Sequence, residues 1–440
     1  MELNRRRVLA GAGAAGGGAL GFGYWQRRRI RRLSEIRDFR DIAAIDVPQI
    51  EADPVITTSL LESAYNRTVD RFDEIEPHLE PPLDRYSTEF VEELREQLTD
   101  EAPDRVTISS RVPAYGAPAM HAARRQTLAM YHIRRSRLVS VLAHNAPEEL
   151  PPETFEEDAM TVRERIESLT VPYRGRTLGE AIMRGATVEW AIDRAESRLE
   201  RAKEEDDYPA QWQDLERATA AIEDAEPFVQ ARDGSNYADD LPTVTERVVN
   251  EFEHRREEAP GEFVQDTAVR EEPVPSFASS AIVSAHRSMR LLGASPSGRR
   301  SLSEDGNYGQ TVLTYALLLP TVSLYGAFAD VPHVSYWEEL DFELRAPPEA
   351  LRAEKTATID AVEPHLEADD PLVAHLATVP LGVVRGADSR LQTLIDDPRE
   401  FDDTEWARRR GQVLLRYESA RRYAEAIDEA VDVIPELSQW

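Results

Sequence analysis

"AIMRGATVEWAIDRAESRLERA" runs from Ala181 to Ala202. Within it Ala181, Gly185, Val188, Ile192, Ala195, Leu199 and Ala202 recur at alternating spacings of four and three, with Arg184, Glu189, Glu196, Glu200 and Arg201 between them. On a helix this spacing draws a single apolar stripe, the pattern of a seam packed against a neighbouring helix. The small residues in the stripe permit close approach, and the stripe reads as core, not as a cofactor site.

The end of the chain repeats the device with Trp406, Val413, Tyr417, Ala420, Ala424, Ile427, Val431 and Ile434, interrupted at the seam only by Arg410. Strand-like alternation is scarce, and Arg105–Ser109, "RVTIS", is its best example. The expectation is an all-α protein of helical-bundle units. Helices are expected to stop at Pro48, Pro81-Pro82, Pro147, Pro151-Pro152, Pro172, Pro209, Pro242, Pro260, Pro273, Pro347-Pro348 and Pro371. "RDGSNYADDLP" from Arg232 to Pro242 and the acidic stretch from Glu257 to Pro275 read as linkers, which places the main boundary near residue 265. Residues 1–32 then form a terminal segment, 33–265 an acidic helical domain and 266–440 a drier one. Asn307 to Ala329 carries no charge in a chain that is 30% charged. Its length allows a second membrane span, but Pro320 and the acidic flanks Glu304, Asp305 and Asp330 favour a buried helix kinked or broken at the proline.

Acidic residues number 82 against 52 basic ones, for a net charge of −30, and only Lys203 and Lys355 are lysines. Residues 1–40 hold ten Arg against Glu2, Glu35 and Asp38, a net of +7, so the remainder carries −30 − 7 = −37. Such a surface repels phosphate backbones, and no nucleic-acid partner is expected. The absence of Cys excludes disulfides, thiolate metal sites and a cysteine nucleophile. An acidic, lysine-poor, cysteine-free composition resembles that of proteins from salt-in halophilic archaea, which implies a carboxylate-rich surface kept hydrated in concentrated salt.

At the amino terminus three arginines precede an uncharged run from Val8 to Trp25, and Arg27, Arg28, Arg29, Arg31 and Arg32 follow it. At about 1.5 Å per residue the run spans roughly 27 Å, enough to cross a bilayer core. The order Arg5, Arg6, Arg7, Val8, Leu9 resembles a twin-arginine export signal, whose two apolar residues are Val8 and Leu9. No small-x-small cleavage site separates the run from the second arginine cluster, so an uncleaved single-span anchor in the cell membrane is expected. The resemblance sends the body out of the cytoplasm. The heavier arginine count after the run argues for the reverse orientation, with the body cytoplasmic.

"EIEPHLE" at Glu74–Glu80 and "AVEPHLE" at Ala361–Glu367 share a five-letter core, and "AEPF" at Ala225–Phe228 keeps its Glu-Pro. Thr170-Val171-Pro172, Leu178-Gly179, Arg184-Gly185-Ala186 and Glu189-Trp190-Ala191 are echoed at 378–382, 385–387 and 405–407, a pattern that fits divergent internal duplication. A metal site from Glu76, His78 and Glu80, or from Glu363, His365 and Glu367, is disfavoured because residues two apart on a helix point about 200° away from each other. His121, His132 and His144 are too far apart along one helix to share a metal. Arg299 and Arg300, in the polar stretch Gly293–Gly309, lack a phosphate-loop signature, and no hydrolase, zincin or dinucleotide fingerprint is present.

These readings lead to a membrane-anchored helical binding or scaffold protein of the cell envelope, with no catalytic residues, no metal and no cofactor expected. Its partners are the membrane, through the N-terminal segment, and another protein, through helical surfaces. The alternative is an enzyme or small-molecule binder with an apolar pocket in the C-terminal unit, whose polar groups are His286, Tyr315, Tyr325 and His375.

Overall fold

The computed structural model describes residues 32–48, 57–79, 85–100, 119–231, 233–258, 306–329, 346–398, 401 and 403–434. In chain order the helices are α1 (residues 32–43), α2 (Thr58–Ile75), α3 (Arg85–Asp100), α4 (Ala119–Asn145), α5 (Pro152–Ser168), α6 (Leu178–Glu204), α7 (Tyr208–Gln230) and α8 (Leu241–Glu258). They continue with α9 (Tyr308–Ala329), α10 (Pro348–Leu366), α11 (Pro371–Asp396), α12 (Asp403–Glu425) and α13 (Ile427–Asp432). The protein is all-α, as its periodicity predicts, apart from a two-residue antiparallel ladder of β1 (Arg174–Gly175) with β2 (Ser235–Asn236). Prolines open α5, α7, α10 and α11, where the missing N–H is one the first turn leaves unused anyway.

The opening stripe is a packed seam. Ala181, Gly185, Val188, Ala195, Leu199 and Ala202 are buried and Ile192 is half-buried, on a helix that pairs along its length with α7. A second long pair, α11 with α12, has α10 laid against both. The closing seam is buried too, but the chain turns at Ala426, so the expected single last helix is α12 followed by the short α13.

Between the two pairs runs α9, whose residues 309–322 are all buried. It remains helical through Pro320, where a break or kink was expected, and Thr321 donates its hydroxyl to the Leu318 carbonyl nearby. Among the described residues no helix is long and apolar enough to cross a membrane. The sequence feature that admits α9 is the pair of small residues facing it: a Cβ on Gly309 would lie 2.5 Å from the Ala186 amide nitrogen. The N-terminus of α9 is capped across the interface by Glu189 of α6, which accepts from the Gly309 amide at 3.0 Å, the Gln310 amide at 2.5 Å and the Tyr173 hydroxyl. Burial pushes the Glu189 carboxyl above the usual carboxylate range, against the pull of these donors.

One core cluster has members on both sides of the expected boundary near residue 265, with Leu60, Tyr131, Ile182 and Phe252 before it and Leu317, Leu376 and Ile427 after it. The stretch 233–242, expected as a linker, is pinned: β2 pairs with β1, Tyr237 donates to the Tyr173 carbonyl at 2.9 Å, and Arg184 holds Asp233 at 3.0 and 3.1 Å. Gly234 has φ +85°, and a Cβ there would meet the Gly175 carbonyl oxygen at 2.1 Å, so only glycine fits. One echoed pair does not share a structural place, since Thr170–Pro172 is a connection before β1 and Thr378–Pro380 is the interior of α11. Residues 1–31, with the motif Arg5, Arg6, Val8 and Leu9, lie outside the described residues, as do Arg105–Ser109 and 259–305.

Candidate functional site

Helix α1 is fastened to the C-terminal helices by apolar and polar contacts on one face. Ile36, Phe39 and Ile42, three residues apart, pack into a cluster with Leu351, Val384, Leu391 and Val413. At its carboxyl end the carbonyls of Ile42 and Ala43 accept from Lys355 Nζ of α10 at 3.0 and 3.5 Å. An ammonium is well placed there, because the last carbonyls of a helix carry its negative pole, and the Ile42 carbonyl accepts it beside the Ile45 amide at 3.1 Å. The third Lys355 donor goes to Asp388 Oδ2 of α11 at 3.0 Å, and the Tyr417 hydroxyl of α12 donates to Asp388 Oδ1 at 2.5 Å. Burial holds the Asp388 carboxyl above its ordinary value, opposed by Lys355 and Tyr417. At the amino end Glu35 accepts from Trp406 Nε1 at 2.8 Å and pairs with Arg410 Nη1 at 3.2 Å. Arg32, the last residue of the second arginine cluster, donates to the carbonyls of Pro398 and Phe401 at 3.0 Å each.

A cleft of about 380 Å³ lies between α2 and α5, above α4 and α7. Each helix contributes the residues that one face presents at helical spacing: Arg67, Asp70, Arg71 and Glu74 from α2, Asp158, Thr161, Val162 and Arg165 from α5, and Trp212, Leu215, Glu216, Thr219 and Glu223 from α7. Arg135 of α4 is nine-tenths buried in its floor and pairs with Glu216 and Glu223. Burial opposes that guanidinium's charge, but the two carboxylates prevail and raise its pKa. Arg67 binds Glu223 at 3.2 Å and Asp224 at 2.5 Å, and Arg71 binds Glu74 at 2.6 Å and Glu216 at 3.4 Å. Two buried donors remain without an acceptor: Arg71 Nε and Trp212 Nε1. Trp212 is 2% exposed, and its ring meets Phe155 and Tyr208 edge-on at 5.5 and 6.5 Å. Asp158 stands exposed at the rim; partial burial raises its pKa, Arg71 lowers it, and Glu157 and Glu216 add to the rise.

Of the four groups expected around an apolar C-terminal pocket, Tyr315 and His375 lie among the described residues. Tyr315 is packed inside the core with its ring edge-on to Phe252 at 5.2 Å, and His375 is buried within α11. His286 and the side chain of Tyr325 lie outside the described residues. The histidines of the repeated pentapeptide go to separate carboxylates, His78 to Glu149 at 3.1 Å and His365 to Asp428 at 3.6 Å, while Glu76 pairs with Arg95. His132 lies 2.7 Å from Asp224. No group of three His, Asp or Glu among the described residues could hold a metal ion.

Sequence reading missed the cleft because its residues come from four helices, each of which shows only an ordinary charged face. A signal existed for the α1 contacts: Arg410 breaks an otherwise apolar seam and Lys355 is one of two lysines. Residues 238–436, less than half of the chain, are similar to a family described as "Domain of unknown function (DUF8264)". No curated protein and no solved structure matches the chain. The matched stretch contains Lys355, Asp388, Arg410 and Tyr417, whereas α1 and the whole cleft lie before it.

Proposed function

We propose that this protein is a membrane-anchored, non-catalytic helical binding and scaffold protein of the cell envelope. The observation that carries the reading is the fastening of α1. Arg32 is already bonded to the body, and only residues 26–31 separate it from the end of the uncharged run at Trp25. Six residues at about 3.5 Å each reach roughly 20 Å, so a span formed by residues 8–25 holds the helical body close to the bilayer surface. A flexible tether has no need of a buried lysine, a Glu35–Arg410 pair and an apolar face on the helix that follows it. A body fixed at a short distance suits a scaffold, whose partners must meet it in a defined place.

Cell fractionation and protease protection test this in two arms. The full-length chain is expected in the membrane pellet after a high-salt wash, and a chain lacking residues 1–31 in the supernatant; equal partition of both removes the anchor. Arg5→Lys with Arg6→Lys keeps the charge but changes the guanidinium pair that a twin-arginine receptor reads. The expected outcome is a body accessible to external protease in the native chain and protected in the double variant. Protection in both places the body in the cytoplasm.

A further inference from the structure

Four large apolar side chains stand exposed among the described residues: Leu33 on α1, Met130 and Ile133 on α4, and Met160 on α5. Single exposed apolar residues are ordinary, but the α4 and α5 faces carry theirs among charges of opposite sign. Helix α4 holds five arginines and neither Asp nor Glu, in a chain of net charge −30. Met130, Ile133 and Arg137 follow at spacings of three and four, so they lie on one exposed stripe, with Arg134 half-buried at its edge. The Arg137 guanidinium stacks 4.3 Å from the centre of the Phe90 ring, which restricts it while leaving it in solvent. On α5 the buried stripe is Phe155, Ala159, Val162 and Ile166. On the opposite side the exposed Glu153, Glu156, Glu157, Glu164 and Glu167 surround Met160 within about 60° of helical rotation, and Arg163 is the one cation at the margin. Among the described residues α5 makes one ion pair, Arg165 with Glu226 at 2.6 Å on its cleft side, so the outward carboxylates are not already neutralised.

We propose that these two faces bind each other between copies of the chain, α4 of one copy against α5 of the next. Met160 meets Met130 and Ile133, and Arg137 meets the glutamates that flank Met160. At molar salt, attraction beyond roughly 3 Å is screened, and only groups in contact count. The partner of the α4 stripe must therefore offer apolar area and carboxylates together, which the α5 face does and a purely acidic surface does not. A contact between unlike faces is heterologous, so each copy keeps one face of each kind for a further copy. The contact does not depend on the membrane anchor and stands or falls without it.

Sedimentation velocity of the full-length chain in non-ionic detergent and high salt, from about 1 to 100 µM, tests the proposal, since two single-helix faces belong among the small, transient interfaces. The native chain is expected to associate over this range. Ile133→Glu and Met160→Glu each place a charge at the centre of one face, and each variant alone is expected to sediment as a monomer. An equimolar mixture of the two is expected to form dimers, because one member keeps α5 intact and the other keeps α4. Arg137→Glu is expected to weaken association about tenfold or more. All three positions are exposed, and an unchanged helical circular dichroism signal shows that each variant folds. Met130→Glu stands in if Ile133→Glu does not fold. The proposal is overturned if the native chain stays monomeric at about 100 µM, if either glutamate variant alone associates as the native chain does, or if their mixture stays monomeric.

Discussion

Lys355 and Arg71 are both cations set into helix interfaces, and the chain treats them in opposite ways. Lys355 is 0% exposed, and its ammonium meets two carbonyls and a carboxylate, one for each of its donors. Arg71 keeps 23% of its side chain exposed, spends both terminal nitrogens on Glu74 and Glu216, and leaves Nε with nothing. The lysine adds a polar junction of α1, α10 and α11 to the apolar cluster that already packs them together. The arginine borders a cleft that is already walled by paired ions. Lys355 thus has a partner for each donor at a junction of three helices, whereas Arg71 stays partly in solvent between two carboxylates on neighbouring helices.

The largest effect expected from that contrast is at Lys355. Lys355→Met leaves Asp388 and the last carbonyls of α1 buried without their cation and is expected to cost about 3–5 kcal/mol in denaturant unfolding. Adding Asp388→Leu removes the stranded charge, and most of the loss is expected to return, because a buried pair replaced by apolar groups is often close to neutral. A loss under about 1 kcal/mol for Lys355→Met would break the comparison at its fold-holding end.

A smaller effect, sensitive to pH, is expected at Glu189. Its folded pKa lies above the ordinary value of 4.5. A raised pKa means that the folded chain binds this proton more readily than the unfolded chain. The stability it contributes is complete below about pH 4.5 and is lost as pH rises through the folded value. Glu189→Gln has no such proton, and it sets an amide N–H among three donors at a cost of about 1–3 kcal/mol. The melting-temperature advantage of the native chain over this variant is therefore expected to be largest in acid and to shrink toward neutral pH. An advantage that grows with pH instead would mean that the positive pole of α9 outweighs burial and holds Glu189 as an anion.

At the cleft end, Arg71→Lys is expected to change stability by no more than about 1 kcal/mol, because Glu74 is well exposed, the buried Glu216 is also paired by Arg135, and the variant keeps the charge. A large loss in the same unfolding measurement would show that Arg71 also holds the fold.

How much of this was legible from the sequence depended on whether the information was local. The seam at Ala181–Ala202 encoded its own helix and its buried side, because period and small residues lie in one stretch. Glu189 stood only as a charge between seam positions, and the arrival of Gly309 and Gln310, over a hundred residues later, makes it a cap. Arg410 was visible as an anomaly in an apolar seam, but its partner Glu35 lies in a helix that no short-range pattern connects to it. The linker read from Gly234 and its neighbours had the right turn chemistry and the wrong consequence, since the same glycine lets β2 approach β1. The cleft was not legible because faces of four separate helices must be assembled before its lining residues meet.

The smallest expected effects are in the pentapeptide that the chain writes twice. In α2 and α10 it closes a helix whose buried positions match, Ala64, Thr68 and Ile75 against Leu351, Lys355 and Val362. The prolines nevertheless sit differently. Pro364 lies inside the last turn of α10, where it withholds an amide from the helix, whereas Pro77 lies in a separate three-residue 3₁₀ turn after α2 has ended. Pro364→Ala restores a donor and is expected to stabilise by up to about 1 kcal/mol, while Pro77→Ala mainly loosens the unfolded chain and is expected to destabilise by about 0.4–1 kcal/mol. His78→Phe, at an exposed ion pair with Glu149, is expected to be silent within about 0.5 kcal/mol. Thermal melts of the three variants, run with and without chelator, decide the matter. Opposite signs for the two prolines and no chelator effect mark two helix ends made from one phrase, whereas equal losses abolished by chelator would make the pentapeptide a ligand site.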